Sequence, residues 1–426
     1  MSLEKRTLEN GLTVYNDKIT GARTNNVLMY VPYGSVDEKP GDEGVAHVFE
    51  HCVHLETDEF KDRVALKQYA DTNGMVTNAS TNFTRTDYYA NGLELEPSMV
   101  HLSQILQHTH FPEEAVEHEL KAVRREMKTR LDSPNEAHFL SAMNAMYGLP
   151  YGRSIGGYND RIDFGVDTLR ELHSRYYKLG RMSLIVAGKA SLDEVAEMAN
   201  RYFTADTDPT FVDHPELPRT LGEHHLTGMV REDSSNALVS VAHPMTPEFI
   251  ERKNANLIAY GMAQRAMSQA AFQSLRYEHG ISYNGDISID SVHPNAVLLG
   301  GDVTTDGENV GQAVEIFDNI FSRPGSSYSD EVLEGNIAAY KYSYNANYNS
   351  NPTRLGRIEA ALEESREPTD ISQLLRKVGK ISVAEVRTAI DEMTEYASNN
   401  PRYIHVTGKR SAIGDVERIV EQHEIA

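Results

Sequence analysis

The chain has 426 residues, 40% of them apolar, and 63 acidic against 41 basic side chains give a formal charge of −22. That apolar share is enough for sizeable cores, and no run approaches 18 consecutive apolar residues, so no membrane span is expected. The acidic balance disfavours nucleic acid and anionic membranes as partners and slightly favours basic ligands. The single cysteine, Cys52, excludes an intrachain disulfide. The first residues have no apolar signal core, so the expected setting is reducing and cytoplasmic.

In chain order, Asn10-Gly11 marks a hairpin, and a strand is expected near 26–33. A helix runs from about Glu43 through His54, strands cover roughly 76–95, and a helical region follows from 96 to about 147. The pattern then returns. NNVLMYVPYGS from Asn25 resembles SNALVSVAHPMT from Ser235. SLIVAGKASLDEVAEMANRYF from Ser183 resembles YIHVTGKRSAIGDVERIVEQ from Tyr403, with Gly188-Lys189 over Gly408-Lys409. Each later copy reads as a strand, a glycine turn, a serine cap and an amphipathic helix. Pro209, Pro215 and Pro218 in the acidic stretch between the copies read as a linker, with a boundary near residue 212. The expected class is α+β: two homologous repeats, 1–212 and 213–426, each a mainly antiparallel mixed sheet with helices packed on one face.

Residues 47–51 read HVFEH. On a helix, His47 and His51 lie on one face a turn apart, where two neutral imidazoles can share one zinc. Glu50 stands beside them without having to be a ligand. H-x-x-E-H is the reversed form of H-E-x-x-H, a zinc peptidase signature in which the glutamate is the general base. Three polar residues together by chance is the plain alternative, and a third ligand decides between the two.

The segment 113–131 carries an apolar stripe of Val116, Leu120, Val123, Met127 and Leu131 at helical spacing. Glu119 and Glu126 are two turns apart and border Val123 on the buried side. A carboxylate there is costly unless paired or bound to metal. Salt bridges to another helix would also satisfy them, and spacing does not say which of the two is the ligand. His54 lies too far along the helix from His47 to share the ion, and Cys52 points off the ligand face, so it reads as a small buried side chain.

On these residues the chain resembles the M16 metallopeptidase family, which includes insulin-degrading enzyme, pitrilysin and the mitochondrial processing peptidase. HVFEH is similar to its inverted zinc motif and Glu119/Glu126 to its E-x6-E element. TNASTNFTRTDYYA from Thr77 is similar to its N-A-x-T strand, and PYGRSIGG from Pro150 to its P-x-G-R-x-I-x-G turn. AFQSLRYEHGISY, 271–283, resembles its L-R-E-x-x-G-L-A-Y. The resemblance implies one zinc per chain on His47, His51 and Glu126, with Glu50 as base and Glu119 acting from outside the ligand shell. It implies Arg276 and Tyr283 as a substrate- and transition-state-binding pair, and Asn78, Ala79 and Thr81 as a peptide-binding strand. The first repeat is then the catalytic one and the second, without H-x-x-E-H, the zinc-free one. Two departures stand out: His51-Cys52-Val53-His54-Leu55-Glu56-Thr57 replaces H-M-x-F-x-G-T, and YGMAQRAMS from Tyr260 replaces a glycine-rich element.

The expected activity is zinc endopeptidase action on unstructured oligopeptides in a closed chamber. With two repeats in place of the four of the long family members, a symmetric homodimer would bring Arg276 and Tyr283 of one subunit to the zinc of its mate. A non-catalytic subunit, or an active subunit that needs a different partner chain, are the alternatives.

Overall fold

The computed structural model describes residues 3–158, 160–204, 221–222, 225–294, 296–347, 350–414 and 416. The boundary near residue 212 and most of the proline-rich linker lie outside these residues. The Asn10-Gly11 hairpin joins strands Leu3–Thr7 and Thr13–Lys18, and the strand expected near 26–33 is Asn25–Val31. The helix expected from Glu43 is shorter, Val45–Cys52. The 76–95 region is two strands, Val76–Thr81 and Thr86–Asn91, and the long helical region resolves into Leu95–Gln107, Glu113–Leu131 and Pro134–Tyr147.

Among the described residues two large sheets form, in two compact units, with a two-stranded ribbon, Glu56–Thr57 and Thr109–His110, beside them in the chain. The first sheet has the order Leu3–Thr7, Thr13–Lys18, Ser183–Gly188, Asn25–Val31, Thr86–Asn91, Val76–Thr81. Only Thr13–Lys18 and Ser183–Gly188 pair in parallel. The second has the order Leu226–Val230, Tyr403–Gly408, Asn236–Pro244, Ala296–Asp306, Gly285–His293, with its one parallel pair between the first two. The strands matched in sequence occupy matching positions: Asn25–Val31 lies antiparallel to Ser183–Gly188 as Asn236–Pro244 does to Tyr403–Gly408. The chain is thus two α+β repeats.

Each unit takes a segment from the other half of the chain. One unit includes Ala346–Leu374 and the other Leu131–Arg153. Strand alternation puts Tyr15, Leu28, Tyr30, Ile185 and Ala187 on one face of the first sheet. Leu355 and Ile358 of helix Asn351–Glu363 close over them. The same helix seats Arg354 against Asp17 at 2.5 Å, with the Arg354 side chain fully buried. Arg85 ties it again, bonding Asp87, Glu359 and Glu363. In the second unit helix Pro134–Tyr147 takes the corresponding place. His138 bonds the Thr407 hydroxyl at 2.9 Å through Nδ1 and the Ser240 hydroxyl at 2.8 Å through Nε2.

Burial, with a smaller push from His405, lowers the His138 pKa from 6.5 to about 3. The unfolded state therefore takes up this proton first. The stability His138 contributes is complete above pH 6.5 and is lost as pH falls through the window from 6.5 to 3, by about 1.4 kcal/mol per pH unit. His138→Gln is expected to flatten the pH dependence of urea unfolding in that window by about this slope, and a slope equal to wild type would contradict it.

Candidate metal centre

The helix Val45–Cys52 is short and held at both ends. Its N-cap, Gly44, has φ of 97°, a conformation that side chains with a Cβ rarely take. The buried Glu38 carboxylate accepts from the Gly44 and Ala46 amides at 3.0 and 2.9 Å, satisfying two open donors at the positive end of the helix. Val45, Ala46, Val48, Phe49 and Cys52 face the core. The Phe49 ring lies 4.4 Å from Tyr177 and 5.6 Å from Phe111. This packing sets the rotation of the helix and turns His47 and His51 toward Glu113–Leu131. On that second helix Val116, Leu120, Val123 and Met127 of the stripe are buried and Leu131 half-buried; Glu119 is buried with them, whereas Glu126, expected on the same side, is exposed.

His47, His51 and Glu126 each offer a ligand atom, and all three atoms lie within 4.8 Å of one another. Nε2 of His47 is 3.5 Å from Glu126 Oε1, and Nε2 of His51 is 3.4 Å from Oε2. Tetrahedral ligands at 2.0–2.1 Å from zinc stand about 3.3 Å apart. Two imidazoles and a carboxylate at this separation fit zinc. Among the described residues no other such group of His, Cys, Asp or Glu occurs. Spacing alone leaves Glu119 and Glu126 equivalent; the structure separates them, with Glu126 facing both histidines and Glu119 behind one.

Glu119 Oε1 accepts from His51 Nδ1 at 2.8 Å, which leaves the Nε2 lone pair for the cluster. Burial lowers the His51 pKa, but the Glu119 hydrogen bond and the charges of Glu50, Glu126 and Glu119 more than offset it, so it stands above 6.5. Burial raises Glu119, and the bonds and charges of His51 and Arg63 outweigh it, so Glu119 is held below the usual carboxylate range. The His47 hydrogen bond holds Glu126 down likewise. Glu50 Oε2 accepts from the Thr81 hydroxyl at 2.6 Å. Thr81 ends the edge strand Val76–Thr81, which carries Asn78 and Ala79 and pairs on one side only, with Thr86–Asn91. Arg276 and Tyr283 come together in the second unit: the guanidinium lies 4.0 Å from the centre of the Tyr283 ring, which is 76% exposed.

Two models of known families match. One, insulinase or peptidase family M16, covers residues 13–157; the other, the peptidase M16 inactive domain, covers residues 163–340. The chain belongs to peptidase family M16. Its zinc-motif half matches the peptidase model of M16 and its other half the inactive one. An uncharacterized zinc protease of Rickettsia bellii is 28% identical over 207 residues, 47% of this chain and 49% of that protein. A probable mitochondrial-processing peptidase subunit beta of Arabidopsis thaliana is 30% identical over 210 residues, 48% of this chain and 39% of that protein. These matches span less than half of either relative. The mitochondrial-processing peptidase subunit beta of Neurospora crassa is 25% identical over 435 residues, 97% of this chain and 81% of that protein. Among solved structures, the peptidase M16 inactive domain from Pseudomonas fluorescens shares the fold at TM-score 0.83 and 14% identity, over 96% of this chain and 98% of that one. A Helicobacter pylori protease does so at 0.80 and 17%, over 95% and 99%. Zinc is the metal these zinc-protease relatives imply.

Neither departure from the M16 pattern enters the cluster. After His51 the helix ends at Cys52, and Glu56–Thr57 pairs with Thr109–His110. Cys52 is buried and its thiol is pushed up to about 12 by burial and Glu119, so it does not compete as a thiolate ligand. His54 turns away and bonds the Glu50 carbonyl at 3.0 Å. YGMAQRAMS lies within helix Leu257–Phe272.

Sequence reasoning missed Arg63 and Glu38, and read Thr81 as a peptide-binding residue without its bond to Glu50. It placed Gly156 in a turn without its role. A Cβ on Gly156 would collide with Met127 Sδ and come within 3.0 Å of His47 Nδ1, a buried atom with no hydrogen-bond partner among the described residues. Gly156→Ala is expected to cost about 1–3 kcal/mol of stability through overpacking and to weaken zinc uptake. Thermal unfolding with a zinc titration checks both, and unchanged affinity would show that His47 tolerates the shift.

Proposed function

We propose that this chain is a zinc-dependent endopeptidase that hydrolyses unstructured oligopeptides. The observation that carries the reading is Glu50: it is held by Thr81 beside a His-His-Glu cluster of zinc-ligand geometry, without itself belonging to that cluster. His47, His51 and Glu126 would hold one zinc per chain. Zinc, when bound, supplies Lewis-acid polarisation of the scissile carbonyl and acidifies the attacking water. Glu50 takes the proton of that water and hands it to the leaving amide nitrogen. Glu119 keeps the His51 ring in one tautomer. The open edge of Val76–Thr81 accepts an extended peptide by main-chain hydrogen bonds through Asn78, Ala79 and Thr81, which asks little of its side chains. In the assembly proposed below, the Tyr283 hydroxyl of one subunit donates to the oxyanion at the zinc of the other, and its neighbouring Arg276 side chain bonds the peptide. A lone cysteine accords with a cytoplasmic setting.

Quenched peptides and metal analysis test this. Glu50→Gln is expected to keep about one zinc per chain and to lose most of the cleavage rate, on the order of 10²–10⁴-fold. Wild type that loads zinc and cuts nothing would overturn the reading of this chain as active by itself and favour a non-catalytic subunit of M16 type or a subunit that needs a different partner chain.

Assembly is a separate proposal: a homodimer in which Arg276 and Tyr283 of one subunit serve the zinc of the other. Two relatives are named as beta subunits of a processing peptidase, which favours a second reading, an active subunit with a different partner chain. Mixing Glu50→Gln with Tyr283→Phe separates them. A shared-site homodimer that exchanges subunits regains about a quarter of the wild-type sites. No regain, or a monomer by sedimentation under active conditions, would overturn the homodimer, and a co-purifying second polypeptide would support the other reading.

A further inference from the structure

Arg63 stands against this cluster and has no part in the zinc reading given above. Arg63 opens helix Arg63–Thr72, an element separate from both the histidine helix and the glutamate helix. Its Nη1 donates to Glu119 Oε1 at 3.1 Å, the oxygen that also accepts from His51 Nδ1. Its Nη2 donates to the His51 carbonyl at 2.6 Å. The contacts close a ring: His51 ring, Glu119 carboxylate, Arg63 guanidinium, His51 backbone. We infer that Arg63 is a positioning residue for His51, the part that fixes where this imidazole stands and which nitrogen faces the metal. The inference rests on the reading of His47, His51 and Glu126 as a zinc site.

Three carboxylates, Glu50, Glu119 and Glu126, act on His51. The Glu119 side chain is only 8% exposed. Without Arg63, such a carboxylate is left crowded by its acidic neighbours and gains by rotating away toward water. That move removes the acceptor that keeps hydrogen on Nδ1 of His51. Arg63 answers the charge at the oxygen in use. Its second arm meets a carbonyl in the last turn of helix Val45–Cys52, where backbone acceptors are open and a cation is favoured. The planar fork of arginine reaches two acceptors on different elements at once, which a lysine ammonium on a single stem does not do with fixed geometry. Arg63 is itself 46% exposed, so it bears little of the burial cost that Glu119 does.

The test is zinc affinity, measured by competition with a chelator on the full chain. Arg63→Ala is expected to bind zinc about 10–100-fold more weakly, and to recover most of its kcat once zinc is saturating. Arg63→Lys recovers part of the affinity and serves where the alanine variant folds poorly. In a Glu119→Gln background the Arg63→Ala effect should shrink to less than about twofold, since the pair acts as one unit; a merely structural arginine would cost the same in both backgrounds. Lys67→Ala, on the same helix and paired with Asp71, is expected to match wild type. If wild type loads zinc and Arg63→Ala loads it equally tightly, or the two effects simply add, the positioning role is overturned while the zinc site stands. A wild type that takes up no zinc overturns the zinc reading, and this inference with it.

Discussion

A carboxylate taken out of water must be given a partner, and the organisation of this site follows from meeting that demand at Glu119. The residue stands on the apolar face of a helix whose other members are Val116, Leu120, Val123 and Met127. Its hydrogen bond to His51 satisfies the acid and at the same time orders the imidazole. One interaction therefore ties two helices, selects a tautomer and aims a ring nitrogen at Glu126. The surroundings keep that arrangement in register. Glu38 fixes the start of the histidine helix, Phe49 fixes its rotation, and the bare backbone of Gly156 leaves the space that the His47 ring occupies.

Charge explains why the site takes this form. Two imidazoles placed among Glu50, Glu119 and Glu126 make a locally anionic hollow, and the pKa directions agree: His51 is raised, Glu119 and Glu126 are lowered. Such a group of acceptors favours a cation, and the donor types and separations suit zinc. Glu50 is different in kind. It is bonded to a hydroxyl of the sheet edge, so the proposed base and the strand proposed to receive the peptide are parts of one local structure.

The ligand helix and its motif were legible because helical spacing is short-range: HVFEH needs only one turn to put its histidines side by side. The buried position of Glu119 was legible for the same reason, from the stripe of apolar residues around it; Glu126, read onto the same buried side, is instead 48% exposed at the open end of the cluster. The roles of the two glutamates were not, since choosing between them requires the distance between two helices, which no spacing within one helix contains. Resemblance to family M16 assigned them, and the geometry agrees. Arg63 was invisible on similar grounds. A basic residue at the start of an amphipathic helix reads as a solvated charge, and its partners are 12 and 56 residues away. In the fold, the repeated segments marked strands that hold matching positions in the two sheets, Asn25–Val31 with Asn236–Pro244 and Ser183–Gly188 with Tyr403–Gly408. The placement of helices Pro134–Tyr147 and Asn351–Glu363 did not, because an amphipathic pattern marks a buried face without naming the sheet that buries it.

That placement bears on how the molecule is made. The apolar face of the first sheet, and the buried Asp17 beneath it, are covered by a helix encoded more than three hundred residues downstream. During synthesis the strands of the zinc-motif unit leave the ribosome long before their cover does, so this unit reaches its finished packing only after translation has passed Asn351–Glu363. A fragment ending at the linker would carry every proposed zinc ligand and still present an open apolar sheet with Asp17 stripped of Arg354.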